Sequence, residues 1–237
     1  MQCLIAVRHN QNGIKNNYET NCKLYNMKHI KNYINEKLHV TSNSFYTCQP
    51  TTKEELRGII IQRIEDDGPE CNLNDIDVSK ITNMSHLFSA NPTWRGNEIF
   101  KDFNGDISLW NVSNVTDMWC MFNKCEKFNC DISNWDVSNV KDMMSMFHEC
   151  KKFNGYLSNW NVSNVENMYC MFEGCKQFNC DLSKWDVSNV ENIGDMFYMC
   201  ENFNQNLDGW DVSHVKKMYD AFHGCPTQPK WYINNRL

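Results

Sequence analysis

Apolar side chains recur at one fixed interval through the second half of this chain. Trp110, Trp135, Trp160, Trp185 and Trp210 stand twenty-five residues apart, each followed by Asn or Asp and then Val-Ser. Other columns keep the same step: Val112, Val137, Val162, Val187 and Val212; Val115, Val140, Val165, Val190 and Val215; Met118, Met143, Met168, Ile193 and Met218; Phe122, Phe147, Phe172, Phe197 and Phe222; Ile107, Ile132, Leu157, Leu182 and Leu207. Such a period marks stacked repeats, in which each copy lays the same side chain over its predecessor and none can bury its apolar edge alone. The tryptophan column is therefore expected in the structural core.

The polar positions between these columns predict the elements. In the copy from Phe128 to Lys152, a short strand is expected near Cys130 to Asn134, an Asx turn at Asp136, and a short helical turn across Met143 to Phe147. Ser138 and Asn139 suit corners, because short polar side chains bond local backbone. The fold expected from the residues is an α/β repeat solenoid of short strands and short helical turns, its coils about 4.8 Å apart as in paired strands.

Four segments follow. Residues 1–50 form an extension rich in Asn and Lys, with a short helix expected from Met27 to Leu38. Residues 51–73 form a cap: Thr51 and Thr52 each precede a Glu by three residues, a capping-box arrangement. A helix from about Lys53 to Ile64 should follow, with Leu56, Ile59, Ile60 and Ile64 on one face and Gly68-Pro69 ending it. Residues 74–225 carry about six repeats, interrupted by an insertion near 90–101 that contains Pro92, Trp94 and Arg95. Residues 226–237 close the array.

Composition narrows the function classes. With 41% hydrophobic and 22% charged residues the chain is of ordinary soluble type. It has no run near the ~20 apolar residues of a membrane helix. Met1 to Asn10 lacks a signal-peptide core, so the expected location is cytoplasmic. The thirteen cysteines are odd in number and read as reduced thiols. Net charge is −6, and from Lys101 to Cys225 ten Lys/Arg face eighteen Asp/Glu, a surface that would repel a phosphate backbone.

Catalytic and metal chemistry finds little support. Cys125, Cys150, Cys175, Cys200 and Cys225 form a column, and Cys120 with Cys170 and Cys130 with Cys180 recur every second copy, but zinc-type pairs two to four residues apart are missing. His148 and His223 precede Cys150 and Cys225 by two residues, yet repetition spreads such pairs along a flank instead of converging them. Carboxylates such as Asp131, Asp136, Asp181 and Asp186 could hold calcium between coils, but Tyr156 and Asn161 interrupt those columns. No glycine-rich phosphate loop occurs. Four glycosylation sequons, at Asn83, Asn111, Asn114 and Asn161, are accidents of the repeat. No cofactor and no enzymatic activity are expected.

The phrase Phe-Asn-x-Asp-Ile-Ser-x-Trp-Asp-Val-Ser-Asn-Val-x-x-Met-x-x-Met-Phe resembles the repeats of the BspA-like leucine-rich-repeat surface proteins. The likeness runs from about Thr51 to Tyr232 and includes the Thr-Lys-Glu-Glu-Leu start and the closing Pro229-Lys230-Trp231-Tyr232. It implies a right-handed, leucine-rich-repeat-like coil, with adhesion and protein binding as associated roles.

The expected function is a noncatalytic protein-interaction module with a protein partner. The alternative is a structural or metal- and redox-tuned cysteine-rich repeat protein. The contact face is expected at Asp106, Asp131, Tyr156, Asp181 and Asn206, which neighbour the Ile/Leu column and so should point outward.

Overall fold

The computed structural model describes residues 46–94 and 97–234, and the chain divides into two units, 1–47 and 48–237. The second unit is described below. The expected helix at Met27 to Leu38, most of the extension at residues 1–50, and Arg95 of the insertion lie outside the described residues.

Helix α1 (Lys53–Asp67) opens the unit. The Thr52 hydroxyl accepts from the Glu55 amide at 3.2 Å and the Glu55 carboxylate accepts from the Thr51 amide at 2.9 Å, so two orphan donors at the helix start are satisfied reciprocally. The helix runs one turn past the expected end and stops at Gly68, where φ is +87°. Leu56, Ile60 and Ile64 are buried against the first coil. Arg57 reaches over the same end: its guanidinium donates to the carbonyls of His86 and Leu87 and lies 4.7 Å from the centre of the Phe100 ring.

Beyond α1 the chain is a stack of coils built almost wholly from turns. Backbone amides close onto carbonyls three residues back at Phe128, Trp135, Val140, Met146, His148 and Cys150 in a single coil. Asx turns fill the gaps, the Ser133, Ser138 and Met144 amides donating to the side chains of Asp131, Asp136 and Asp142. These closures correct the fold expected from sequence. A leucine-rich-repeat-like α/β solenoid does not form: the expected strand at Cys130 to Asn134 is a turn, the expected helical turn at Met143 to Phe147 is a run of non-helical turns, and the described coils contain no sheet. Among the described residues parallel pairing is limited to isolated bridges: a ladder through Asn83, Asp117, Asp142, Asn167, Asn192 and Lys217, and two more near the first end, Cys48 with Ile76 and Asn72 with Asp106. A turn every few residues leaves no room for a strand to extend.

Side chains do lie over their counterparts. Phe122, Phe147 and Phe172 stack at 5.7 and 5.6 Å between ring centres, with interplanar angles of 5° and 6°. Trp110 lies parallel to Trp135 at 6.4 Å. Each indole of the column Trp110, Trp135, Trp160, Trp185 and Trp210 is buried and donates through Nε1 to a carbonyl of the preceding coil, at 2.9 to 3.2 Å. An asparagine ladder runs along one edge, with the amides of Asn129, Asn154, Asn179 and Asn204 each donating to the Asn side chain one coil before.

The insertion forms two short 3-10 turns, Pro92–Trp94 and Glu98–Phe100, and drives the Phe100 ring into the core beside Phe88. Helix α2 (Lys230–Asn234) closes the far end, setting Trp231 against Trp210 and Tyr232 against Phe222.

Candidate functional site

The segment from Asp117 to Cys125 and its equivalents form the most regular part of each coil and also the most varied in side chains. Amides of Met118, Cys120, Phe122 and Lys124 donate to the carbonyls of Asp142, Met144, Met146 and His148 in the next coil at 2.7 to 2.9 Å, and the pattern repeats down the stack. Two residues in each segment from Asp117 onward adopt left-handed backbone, Cys120 and Lys124, Ser145 and Glu149, Cys170 and Gly174, Asp195 and Met199, Asp220 and Gly224, whereas the first copy has His86 alone. Alternating the hand of the backbone folds the segment back on itself while keeping its inter-coil amides pointing one way. Met118, Met121 and Phe122 are thereby buried, and the intervening side chains collect on one face.

On that face the columns change from coil to coil. One reads Trp119, Met144, Tyr169, Gly194 and Tyr219; another Asn123, His148, Glu173, Tyr198 and His223. Gly194 lacks a side chain for a reason visible here, since a Cβ would come within 2.9 Å of the Tyr219 ring. Tyr219 thus lies across Gly194 and meets Tyr169, at 6.0 Å between ring centres.

A cavity of about 220 Å³ opens in this face, lined by Asn91, Cys120, Asn123, Met144, Ser145, His148, Tyr169, Cys170 and Glu173. Asn91, Asn123 and Ser145 are buried polar residues, 8%, 4% and 7% exposed. His148 Nε2 lies 3.5 Å from the Glu173 carboxylate. Two buried polar atoms in the lining have no hydrogen-bond partner, Asn123 Oδ1 and His148 Nδ1. Both atoms lie behind the cavity wall, each exposing less than 1 Å².

The electrostatics are one-sided. Burial raises Asp142, and the neighbouring Asp117 and Glu166 carboxylates push it further the same way. Asp195 is also raised, by burial and by Glu173. Burial works against the Glu173 carboxylate, yet hydrogen bonds from His148 and Cys170 outweigh it and hold the group below its ordinary value. Glu173 is therefore ionised. The Cys120 thiol is pushed up to about 11, chiefly by burial, and Cys170 is raised by burial and by its hydrogen bond to Glu173. Neither is a thiolate near neutral pH, which removes the state a nucleophilic cysteine needs.

Residues singled out from sequence fall elsewhere. Asp131, Tyr156, Asp181 and Asn206 are exposed and Asp106 is half-buried. The carboxylates of Asp106, Asp131 and Asp181 and the Asn206 amide are engaged locally, each accepting from the amide two residues on at 2.9 to 3.0 Å. Tyr156 breaks the column with a 58% exposed ring. Cys125, Cys150, Cys175 and Cys200 of the cysteine column are buried and Cys225 is half-buried, each thiol donating to a Phe carbonyl of the preceding coil at 2.9 to 3.1 Å. Among the described residues no cluster of three or more His, Cys, Asp or Glu could hold a metal ion. No described helix is long and apolar enough to cross a membrane.

Sequence reading missed the cavity because its lining has no shared residue type. The signal lay in the columns that refuse to repeat: in five copies, positions 119 and 123 change more in size and charge than the aspartate column does.

No curated protein and no solved structure matches the chain. The family described as "Mycoplasma protein of unknown function, DUF285" matches it twice, over residues 65–157 and 131–233. The two matches overlap by about one coil and together take in α1's last turn, every coil and most of α2, well over half of the chain, so the chain belongs to the DUF285 family.

Proposed function

We propose that this protein is a noncatalytic binding module whose partner is a protein held on the turn face. One observation carries the reading. Core columns, indole bonds and asparagine ladder are copied from coil to coil, whereas the face bearing Tyr169, His148 and Glu173 carries a different pair of side chains in each of the five coils and opens into a cavity. Uniform coils supply a rigid support, and rigid support with variable side chains lowers the ordering cost of binding. Half-buried aromatic rings such as Tyr169 are the anchors typical of protein contacts. The raised thiols at the cavity argue against a catalytic cysteine.

The acidic character of the coils favours a protein over a nucleic acid. The thiol-to-carbonyl bonds of the Cys125 column need S–H groups, which favours a reducing compartment such as the cytoplasm. The roles implied by the BspA-like resemblance, adhesion and protein binding, are in line with this reading.

Site-specific photocrosslinking in the native host tests it. A benzophenone side chain at position 169 should give a discrete protein adduct that the same group at exposed Asn159 does not. Equal adduct patterns from the two positions would refute the assignment of the face.

A further inference from the structure

The ladder of bridge residues through Asn83, Asp117, Asp142, Asn167, Asn192 and Lys217 stops at the last coil with half a bridge still to be made. Each bridge consists of two backbone bonds. At Asp142 the Lys141 amide donates back to Thr116 O and the Met118 amide forward to Asp142 O, both at 2.9 Å; at Lys217 the Lys216 amide donates back to Glu191 O at 2.8 Å and the Ile193 amide forward to Lys217 O at 2.9 Å. A further bridge would take its acceptor from Lys216 O and its donor from the Met218 amide. Neither has a partner among the described residues. Helix α2 completes only the other half of this end: Trp231 takes the place of a sixth indole, its Nε1 donating to Leu207 O at 2.8 Å, and Tyr232 covers Phe222. Val212, Val215 and Met218 stay half-buried, whereas Val187, Val190 and Ile193 one coil earlier are at most 1% exposed. Lys216 pairs with Glu191 at 2.7 Å, and no carboxylate among the described residues pairs with Lys217.

We infer that this edge binds an extended segment of the protein partner, laid parallel to residues 216–218, with an acidic side chain beside Lys217 and apolar side chains over Val215 and Met218. A peptide backbone is the group that offers a donor and an acceptor at the spacing of a strand bridge, and an unpaired edge is a template for one. Neighbouring bridge residues touch side chain to side chain, Asn83 Nδ2 donating to Asp117 at 2.7 Å and Asn167 Nδ2 to Asp142 at 3.3 Å. The residue added next therefore meets the Lys217 ammonium, which selects a carboxylate. A second copy of this chain fits less well. Stacked head to tail it would present its first end, where Lys53 bonds Asn83 and Ser85 and Arg57 bonds the carbonyls of His86 and Leu87; edge to edge it would set two Lys217 side chains together.

The inference rests on the reading of a protein partner, and its test uses a peptide of defined sequence. The capped peptide Asn-Val-Lys-Asp-Met-Met-Ser, the sequence of residues 139–145, sets its Asp beside Lys217 in the register of the coils. It is titrated into the full, isotope-labelled chain at pH 7, with backbone amides read by NMR. The Met218 amide signal should shift, and its exchange with solvent should slow. Lys in place of the peptide's Asp should weaken binding about tenfold, since a like-charge contact replaces an attraction, and Lys217→Glu should reverse that preference. N-methylation of the peptide's own Lys, whose amide donates to Lys216 O, should abolish the shift. An unmoved Met218 signal at the peptide's solubility limit, equal binding of the N-methylated peptide, or an unchanged preference in Lys217→Glu would each overturn the proposal. Shifts confined to Tyr169 and Glu173 would place the peptide at the cavity and overturn it as well. Protection of the Met218 amide that grows with protein concentration in the absence of peptide would assign the edge to a second copy and overturn the partner segment. The wild-type readings decide the outcome even where Lys217→Glu folds poorly. Failure here leaves the crosslink at position 169 standing, and failure of that crosslink leaves the edge standing.

Discussion

The indole Nε1 of Trp160 donates to the carbonyl of Ile132, 3.1 Å away and one coil earlier. The bond joins a side chain of one coil to the backbone of the coil before it, so the ring acts both as core and as a clamp between layers. Trp160→Phe keeps an aromatic ring but orphans a buried carbonyl, and should cost about 1–3 kcal/mol. Trp160→Ala should cost about 3–5 kcal/mol, because it also leaves a cavity. Urea unfolding of the two variants checks the ordering.

Buried thiols make the molecule sensitive to alkali. Cys125, Cys150, Cys175 and Cys200 are held well above the ordinary thiol value, burial being the main cause in each. A folded-state value above the unfolded one means the folded chain keeps protons that the unfolded chain releases. Stability is therefore full below the unfolded value of about 8.5 and falls as pH rises through and beyond it, by at most about 1.4 kcal/mol per pH unit per thiol. Denaturation midpoints measured from pH 7 to 10 should fall steadily, and Cys150→Ala should shallow the slope. A thiol reagent at pH 8 should label half-buried Cys48, Cys130 and Cys225 before the Cys150 group.

On the acid side the Asx turns respond. The Asp136 carboxylate is held below its ordinary value by hydrogen bonds from Ser138, so its contribution is present above about pH 3.9 and is lost as pH falls through the lower folded value. Two coils already use Asn in this role, the Ser113 and Ser163 amides donating to Asn111 and Asn161 at 3.2 Å. Asp136→Asn should leave stability at pH 7 within about 0.5 kcal/mol and flatten the acid limb of the profile. Acid titration followed by circular dichroism reads both effects.

Arg57 closes the carbonyl end of the stack. Its guanidinium spans the carbonyls of His86 and Leu87 and covers the Phe100 ring, a geometry that a single ammonium cannot reproduce. Arg57→Lys should recover little of the roughly 2 kcal/mol lost in Arg57→Ala. Comparable stability of the lysine variant and the wild type, by calorimetry, would place the clamp elsewhere.

Much of the architecture was legible in the sequence, and the reason is the period. Stacking of identical side chains needs only a constant step, which Trp110 to Trp210 display, and α1 announces itself through Thr52 and Glu55. Backbone conformation was not legible. Strand alternation around Ile132 reads the same whether Asp131 is a strand residue or the acceptor of a turn, and the hydrogen bond from Ser133 decides it. The left-handed positions carry Cys, Lys, Ser and Glu more often than Gly, so composition gives no warning of them. The same strand logic put the expected contact face on the aspartate column, whose members are exposed except for half-buried Asp106 but whose carboxylates close turns, while His148 of the proposed face was weighed only as a partner for cysteine.

Left-handed backbone at Lys124, where φ is +64°, is the feature on which the turn-built coil and its cavity both depend. Equivalent positions hold Gly174 and Gly224 at φ of +72° and +83°. The decisive measurement is the urea unfolding free energy of Lys124→Gly against the wild type. The left-handed conformation strains a lysine by about 1–2 kcal/mol and a glycine hardly at all, so the variant should gain about 0.5–1 kcal/mol. A loss of about 0.5–1 kcal/mol, as glycine causes in a regular strand or helix, would contradict the account.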